Sequence, residues 1–196
     1  MDIEQIRSVL TNEIHPKPIS ELDENELASV LVVIYGKEPF ILMTEKAKSL
    51  KVHGGEISFP GGKWYTKDQD LLETAIRETE EELSLQISKE QVIGQLDNVI
   101  TLNSKYKITP FVAILENISS LKPNSEVKSI LHIPLVPFLK TITKDTNPEH
   151  LSIKEMYTLT FEKYNIWGAS ARILKQIFML RSEERRVGKE CRSRCS

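Results

Sequence analysis

The fold class predicted for this chain is α/β (α+β), a mixed β-sheet flanked by helices. Three features carry that expectation. Short apolar runs rich in β-branched residues, such as SVLVVIYG at 29–36, read as buried strands. Other segments repeat their apolar residues at helical spacing. The two kinds alternate along 196 residues, a length that favours one domain.

In chain order, IEQIRSVLTN (3–12) has helical spacing and opens the domain, and a Pro-punctuated connection, HPKPIS then ELDENEL, follows. Strands are expected at 29–35, 40–44 and 56–59, the last running into a loop, PGGK. Residues 70–85 read as a helix with Asp68 or Asp70 as N-cap. Further strands are expected at 92–101 and 109–115, separated by the polar loop NSKYK. A short helix at 126–132 should stop at Pro134, with a strand at 157–161 and a closing amphipathic helix at 169–180. No internal repeat or low-complexity tract interrupts this order.

Hydrophobic content of 40% and charged content of 28% suit a globular protein with a real core. No apolar run approaches the roughly 20 residues of a membrane helix, and MDIEQIRSVL lacks a signal pattern. A cytoplasmic protein is expected. The end of the chain changes character: RSEERRVGKECRSRCS (181–196) turns to Arg, Ser and Cys, and its residues 181–194 resemble the conceptual translation of a DNA-sequencing adapter. It is read as a non-native tail, which leaves 1–180 as a single domain. Both cysteines, Cys191 and Cys195, fall in that tail, so the domain needs no cysteine chemistry. Without the tail, 20 basic and 25 acidic residues remain, and the charge moves from −2 to −5. That argues against a broad nucleic-acid surface.

The stretch RETEEEL (77–83) crowds carboxylates. At about 100° per residue, Glu78, Glu81 and Glu82 share one helix face, Glu80 points away, and Leu72, Ala75, Ile76, Thr79 and Leu83 form the core stripe. Glu73 and Arg77 stand i,i+4 in the favourable order. Each like-charge pair costs a few tenths of a kcal/mol, small enough for a solvated acidic face to persist. The other reading is a site for a hard divalent cation, which takes oxygen ligands. HGGEISFPGGKW (53–64) lies just upstream, and its glycines let backbone approach a ligand.

Residues 62–85 resemble the Nudix box, G-x5-E-x7-R-E-U-x-E-E-x-G-U, with Arg77, Glu78, Glu81 and Glu82 matching its core. The spacing from Gly62 to Arg77 is one residue longer than standard, so counting back from the arginine puts Gln69 in the early glutamate slot, and Glu73 could then partner Arg77. Thr79 takes an apolar slot and Ser84 replaces the last glycine, weakening the helix C-cap. LMTEKAKSLKVHGGEISFPGG (42–62) is similar to the signature of the coenzyme A diphosphatase branch, L-L-T-x-R-S/A-x3-R-x3-G-x3-F-P-G-G, with Lys46 and Lys51 in place of its two arginines. TLNSKYKITPF (101–111) and YNIWGASARIL (164–174) are further similar stretches.

The resemblance implies a Nudix-type α/β/α sandwich that uses Mg²⁺ or Mn²⁺ to hydrolyse coenzyme A or acyl-CoA at its diphosphate. Glu78 and Glu82 would be the principal metal ligands, with Glu81 assisting and a carbonyl of Gly61 or Gly62 completing the shell. Arg77 would orient a glutamate, and Glu81 and Glu82 are the candidates for general base. Lys46, Lys51, Gly62, Lys63, Lys105 and Tyr106 are the implied substrate contacts. The implied partner is a small nucleotide substrate, with no nucleic acid and no membrane; a homodimer is left open. Competing readings are another nucleoside diphosphate derivative as substrate, such as ADP-ribose, and a non-catalytic nucleotide-sensing module. His53 is read as packed or solvated, no role is given to His15, His132 or His150, and Trp167 and Phe178 are expected in the core of the last helix.

Overall fold

The longest apolar run becomes β1 (Leu27–Tyr35), and burial on both faces explains why it has no polar break. Val32 and Ile34 join one hydrophobic cluster, and Leu31 and Val33 join the other. That is the two-residue period of a strand. The computed structural model describes residues 3–10, 27–50, 53–102, 104–146 and 156–193. The Pro-punctuated connection up to residue 26, with His15, and also Lys51 and His150, lie outside the described residues.

β1 is central. It runs antiparallel to β2 (Phe40–Lys46) and parallel to β7 (Lys107–Leu115), in register from Leu27↔Lys107 to Tyr35↔Leu115. β8 (Val127–Pro134) runs along the far side of β2, and β3 (Ile57–Ser58) pairs with the end of β2 on the same edge as β1; both are antiparallel to β2. β5 (Val92–Gln95) and β6 (Val99–Ile100) pair antiparallel with β7. A second, small sheet orders β11 (Tyr164–Ile166), β10 (Tyr157–Phe161) and β9 (Thr143–Lys144).

One face of the main sheet is covered by α2 (Leu71–Leu83), whose Leu71, Leu72, Ala75 and Leu83 enter the same cluster as Leu31. The other face receives α1 (Ile3–Leu10), α3 (Leu135–Leu139), the small sheet and α4 (Gly168–Ser193), through Ile6, Leu135, Leu159, Ile166 and Leu174. The result is a helix–sheet–helix sandwich around a mixed sheet, as the fold class requires. Among the described residues no helix is long and apolar enough to cross a membrane.

Four segments depart from the sequence expectation. Residues 126–132 do not form a helix: Glu126 is in a turn and 127–132 belong to β8, where Leu131 and Ile133 are buried two apart around exposed His132 and the strand pairs along all of β2. Residues 92–101 split into β5 and β6, and the Gln176 side chain accepts from Asp97 N (2.8 Å) and donates to Asp97 O (3.0 Å) at the break. The PGGK loop contains β4 (Gly61–Lys63), antiparallel to β1. Gly61 has φ +148°, and a Cβ there would lie 2.3 Å from Ser29 O. Only glycine lets this strand come so close. Finally, α4 continues past Leu180 to Ser193, in a stretch rich in Arg, Glu and Lys, which are good helix formers.

Candidate active site

The acidic helix is fixed at both ends. Asp70 is the N-cap, its Oδ1 accepting from Glu73 N at 2.7 Å. Ser84 ends the helix in the left-handed conformation (φ 54°), with its N–H on Glu80 O. Glu73 does not hold Arg77, as the i,i+4 spacing suggested. Its carboxylate instead accepts from Gln69 N (2.6 Å) and closes the turn before the helix.

Asp68 is the partner of Arg77. Arg77 Nε and Nη2 donate to Asp68 Oδ1 and Oδ2, both at 2.9 Å, in a bidentate fork. Asp68 is buried and also accepts from Thr74 Oγ1 at 2.9 Å. Burial alone would raise its pKa, but the hydrogen bonds from Arg77 and Thr74 outweigh that and hold it low. Counting forward from Gly62 along the box spacing lands on Asp68, so the extra residue lies between the aspartate and the arginine. Arg77 Nη1 reaches the other way, to Glu78 Oε1 (2.9 Å) and Glu81 Oε2 (3.2 Å). One guanidinium thus binds three carboxylates and answers much of the crowding in RETEEEL.

Glu78 is pressed against β4. A Cβ at Gly62 would lie 2.5 Å from Glu78 Cδ, so the glycine makes room for this carboxylate. Burial raises the Glu78 pKa against the opposing bond from Arg77. Glu82 lies deeper, with 2% of its surface exposed. Its Oε1 accepts from Lys46 Nζ, and its Oε2 is buried with no hydrogen-bond partner. Burial pushes the Glu82 pKa up to about 6 despite Lys46. Lys46 ends β2 at a register shift after Glu45. Glu81 is 57% exposed at the rim, and Glu80, also exposed, accepts from Gln86.

A cavity of about 500 Å³ adjoins this cluster through Lys46, Gly61 and Gly62. Lys63 and Tyr106 also line it, with Lys63 Nζ 4.6 Å from the Tyr106 ring centroid. Lys105 is exposed, in a left-handed conformation (φ 59°), and is not among the lining residues. His53 lines the opening, its Nδ1 2.9 Å from Glu56 Oε2. Trp167 is not a core residue: it precedes α4, is 39% exposed and lines the cavity. Phe178 packs against the core as expected. His132 bonds the Tyr35 hydroxyl far along β2's partner strand.

The donor set facing α2 and β4 is all oxygen, and one buried carboxylate oxygen lacks a partner. That chemistry fits a hard divalent cation. Among the described residues no three His, Cys, Asp or Glu side chains converge on one point, because Arg77 and Lys46 draw the carboxylates to themselves.

The NUDIX domain family matches residues 26–162, more than half of the chain. An uncharacterized Nudix hydrolase, NudL, from Photorhabdus laumondii is 34% identical over 172 residues, covering 83% of this chain and 88% of the relative. Among solved structures, a NUDIX hydrolase from Alicyclobacillus acidocaldarius aligns with a TM-score of 0.53 at 16% identity, over 79% of this chain and 91% of that one. A MutT/nudix family protein from Enterococcus faecalis gives 0.56 at 15% identity, over 84% and 62%. These two structures speak for the fold, a mixed sheet between helices.

Proposed function

The chain belongs to the NUDIX family of hydrolases, and from that premise we propose that it hydrolyses the diphosphate bond of coenzyme A or an acyl-CoA. The products are 3′,5′-ADP and (acyl-)4′-phosphopantetheine. The observation that carries the reading is Glu82: a buried carboxylate with one oxygen unsatisfied, bonded through the other to Lys46, which lines the cavity together with Gly61 and Gly62. The choice of coenzyme A rests on the resemblance of residues 42–62 to that branch's signature.

Glu78 and Glu82, with Glu81 and the Gly61 carbonyl assisting, would hold Mg²⁺ or Mn²⁺, which when bound would supply an activated water and neutralise the diphosphate. The chain's own residues do the rest. Arg77, braced by Asp68, fixes the directions of Glu78 and Glu81. Glu81 or Glu82 takes the proton of the attacking water. The water oxygen bonds to one phosphorus as the bridging P–O bond breaks, and the bridging oxygen leaves on the other phosphate. Lys63, Tyr106 and the backbone of Gly62 meet the substrate in the cavity, with Lys46 at the phosphates; Lys51 and Lys105 keep only the substrate-contact role that the resemblance implies.

Incubating the protein with coenzyme A and Mg²⁺ should yield the two products by mass spectrometry, and Glu82→Gln should abolish them. A sensing module would instead keep its ligand affinity and show no turnover in either form. One observation favours a second substrate. Lys46, which replaces a signature arginine, is bonded to Glu82, and a lysine lacks the arginine's planar fork for phosphate. Preference for ADP-ribose over coenzyme A in a substrate panel would establish that second reading.

A further inference from the structure

Among the described residues, Lys46 both binds a carboxylate of the acidic helix and lines the cavity. Its ammonium is on Glu82, its stem lines the cavity, and its side chain is 14% exposed. The backbone clamps it there: Lys46 N donates to Glu56 O at 2.9 Å, and Gly55 N donates to Lys46 O at 3.0 Å. The register shift just before it sets where the side chain leaves the strand. Glu82 offers this cation only one of its two oxygens.

We propose that Lys46 is an exchangeable counter-cation: a divalent ion arriving at Glu82 releases the ammonium, which turns into the cavity and takes a substrate phosphate. The inference rests on the reading of Glu82 as a metal ligand. Its physical basis is charge balance in a buried place. A carboxylate 2% exposed needs a positive neighbour, but two cations on it at once repel at short range. The ion with more ligands, from Glu78 and the glycine turn as well as Glu82, wins. The displaced lysine has a short path, because its flexible four-carbon stem already lies on the cavity wall. Metal loading thereby creates part of the phosphate site, so that an unmetallated protein binds the nucleotide poorly and an enzyme charged with metal binds it well.

The test uses the whole protein at pH 8, with Mn²⁺ binding followed by electron paramagnetic resonance. Lys46→Met keeps the apolar stem and removes the charge. It should bind Mn²⁺ about tenfold more tightly than the unaltered protein, since no ammonium has to be displaced. Its melting temperature without metal should be lower, and saturating Mn²⁺ should raise it by more than in the unaltered protein. Lys46→Arg, which keeps the cation, should restore ordinary Mn²⁺ affinity. With ADP as probe, Lys46→Met should lose about tenfold in affinity when Mn²⁺ is saturating and nothing when Mn²⁺ is absent. If Lys46→Met binds Mn²⁺ no more tightly while Glu82→Gln loses it, the exchange is wrong and the metal reading stands. If Glu82→Gln binds Mn²⁺ as well as the unaltered protein, both are wrong.

Discussion

Two buried glutamates end up with opposite characters although their ion pairs involve adjacent residues of β2, Glu45 itself and Lys46, the counter-ion of Glu82. Glu45 is 5% exposed, and both of its oxygens are satisfied, Oε1 by Lys128 (2.6 Å) and Oε2 by the Tyr164 hydroxyl (3.3 Å). The Lys128 bond pulls its pKa down. Glu82 is 2% exposed and has Lys46, the next residue along, on one oxygen and nothing on the other. Burial pushes its pKa up to about 6. Similar burial and similar partners thus give a finished ion pair in one place and an unfinished one in the other. An unfinished buried charge is costly to the fold, and perturbed carboxylates of this kind gather at functional sites.

The comparison breaks most sharply on activity. Glu82→Gln should lower kcat by about a thousandfold, the several kcal/mol expected from a lost metal ligand, whereas Glu45→Gln should leave kcat within about twofold. Next in size, Asp68→Asn should cost about 10- to 100-fold in kcat by freeing Arg77, and Glu73→Gln should cost almost none. Steady-state kinetics separates all four. Gly62→Ala should fall in the same range as Asp68→Asn, because its Cβ would displace the Glu78 carboxylate. Its melting temperature should barely move, since the displaced group is the end of a flexible side chain.

Stability sharpens the contrast from the other side. Glu45→Gln should cost about 1–2 kcal/mol, a drop of roughly 3–6 °C in melting temperature. The pH dependences have opposite signs. Glu82, at about 6 when folded against an ordinary 4.5, makes the folded protein bind extra proton between those values. Metal-free stability should therefore fall by about 2 kcal/mol as pH rises through that window, and Glu82→Gln should remove the fall. Glu45, lowered in the fold, adds stability above 4.5 that is lost as pH drops through its depressed value. Melting curves from pH 3 to 8 would show both.

The sandwich and the helix carrying Glu78, Glu81 and Glu82 were legible because periodicity reports burial and one face of a helix is fixed by 100° steps. Residues 126–132 were not, since a short apolar segment has no period of its own and only pairing with β2 makes it a strand. Asp68 was missed because counting back from Arg77 hid it, while the forward count from Gly62 finds it. Lys46 on Glu82 was beyond reach: the two are 36 positions apart, and only the sheet and α2 bring them together.

The central claim is that Glu82 is unfinished because it awaits a metal, and anomalous diffraction from crystals soaked in Mn²⁺ tests it most directly. The account predicts a peak bonded to Glu82 and Glu78 beside the Gly61–Gly62 turn, with none at Glu45. A map with no peak at Glu82, its second oxygen still bare and Lys46 still on the first, would contradict it.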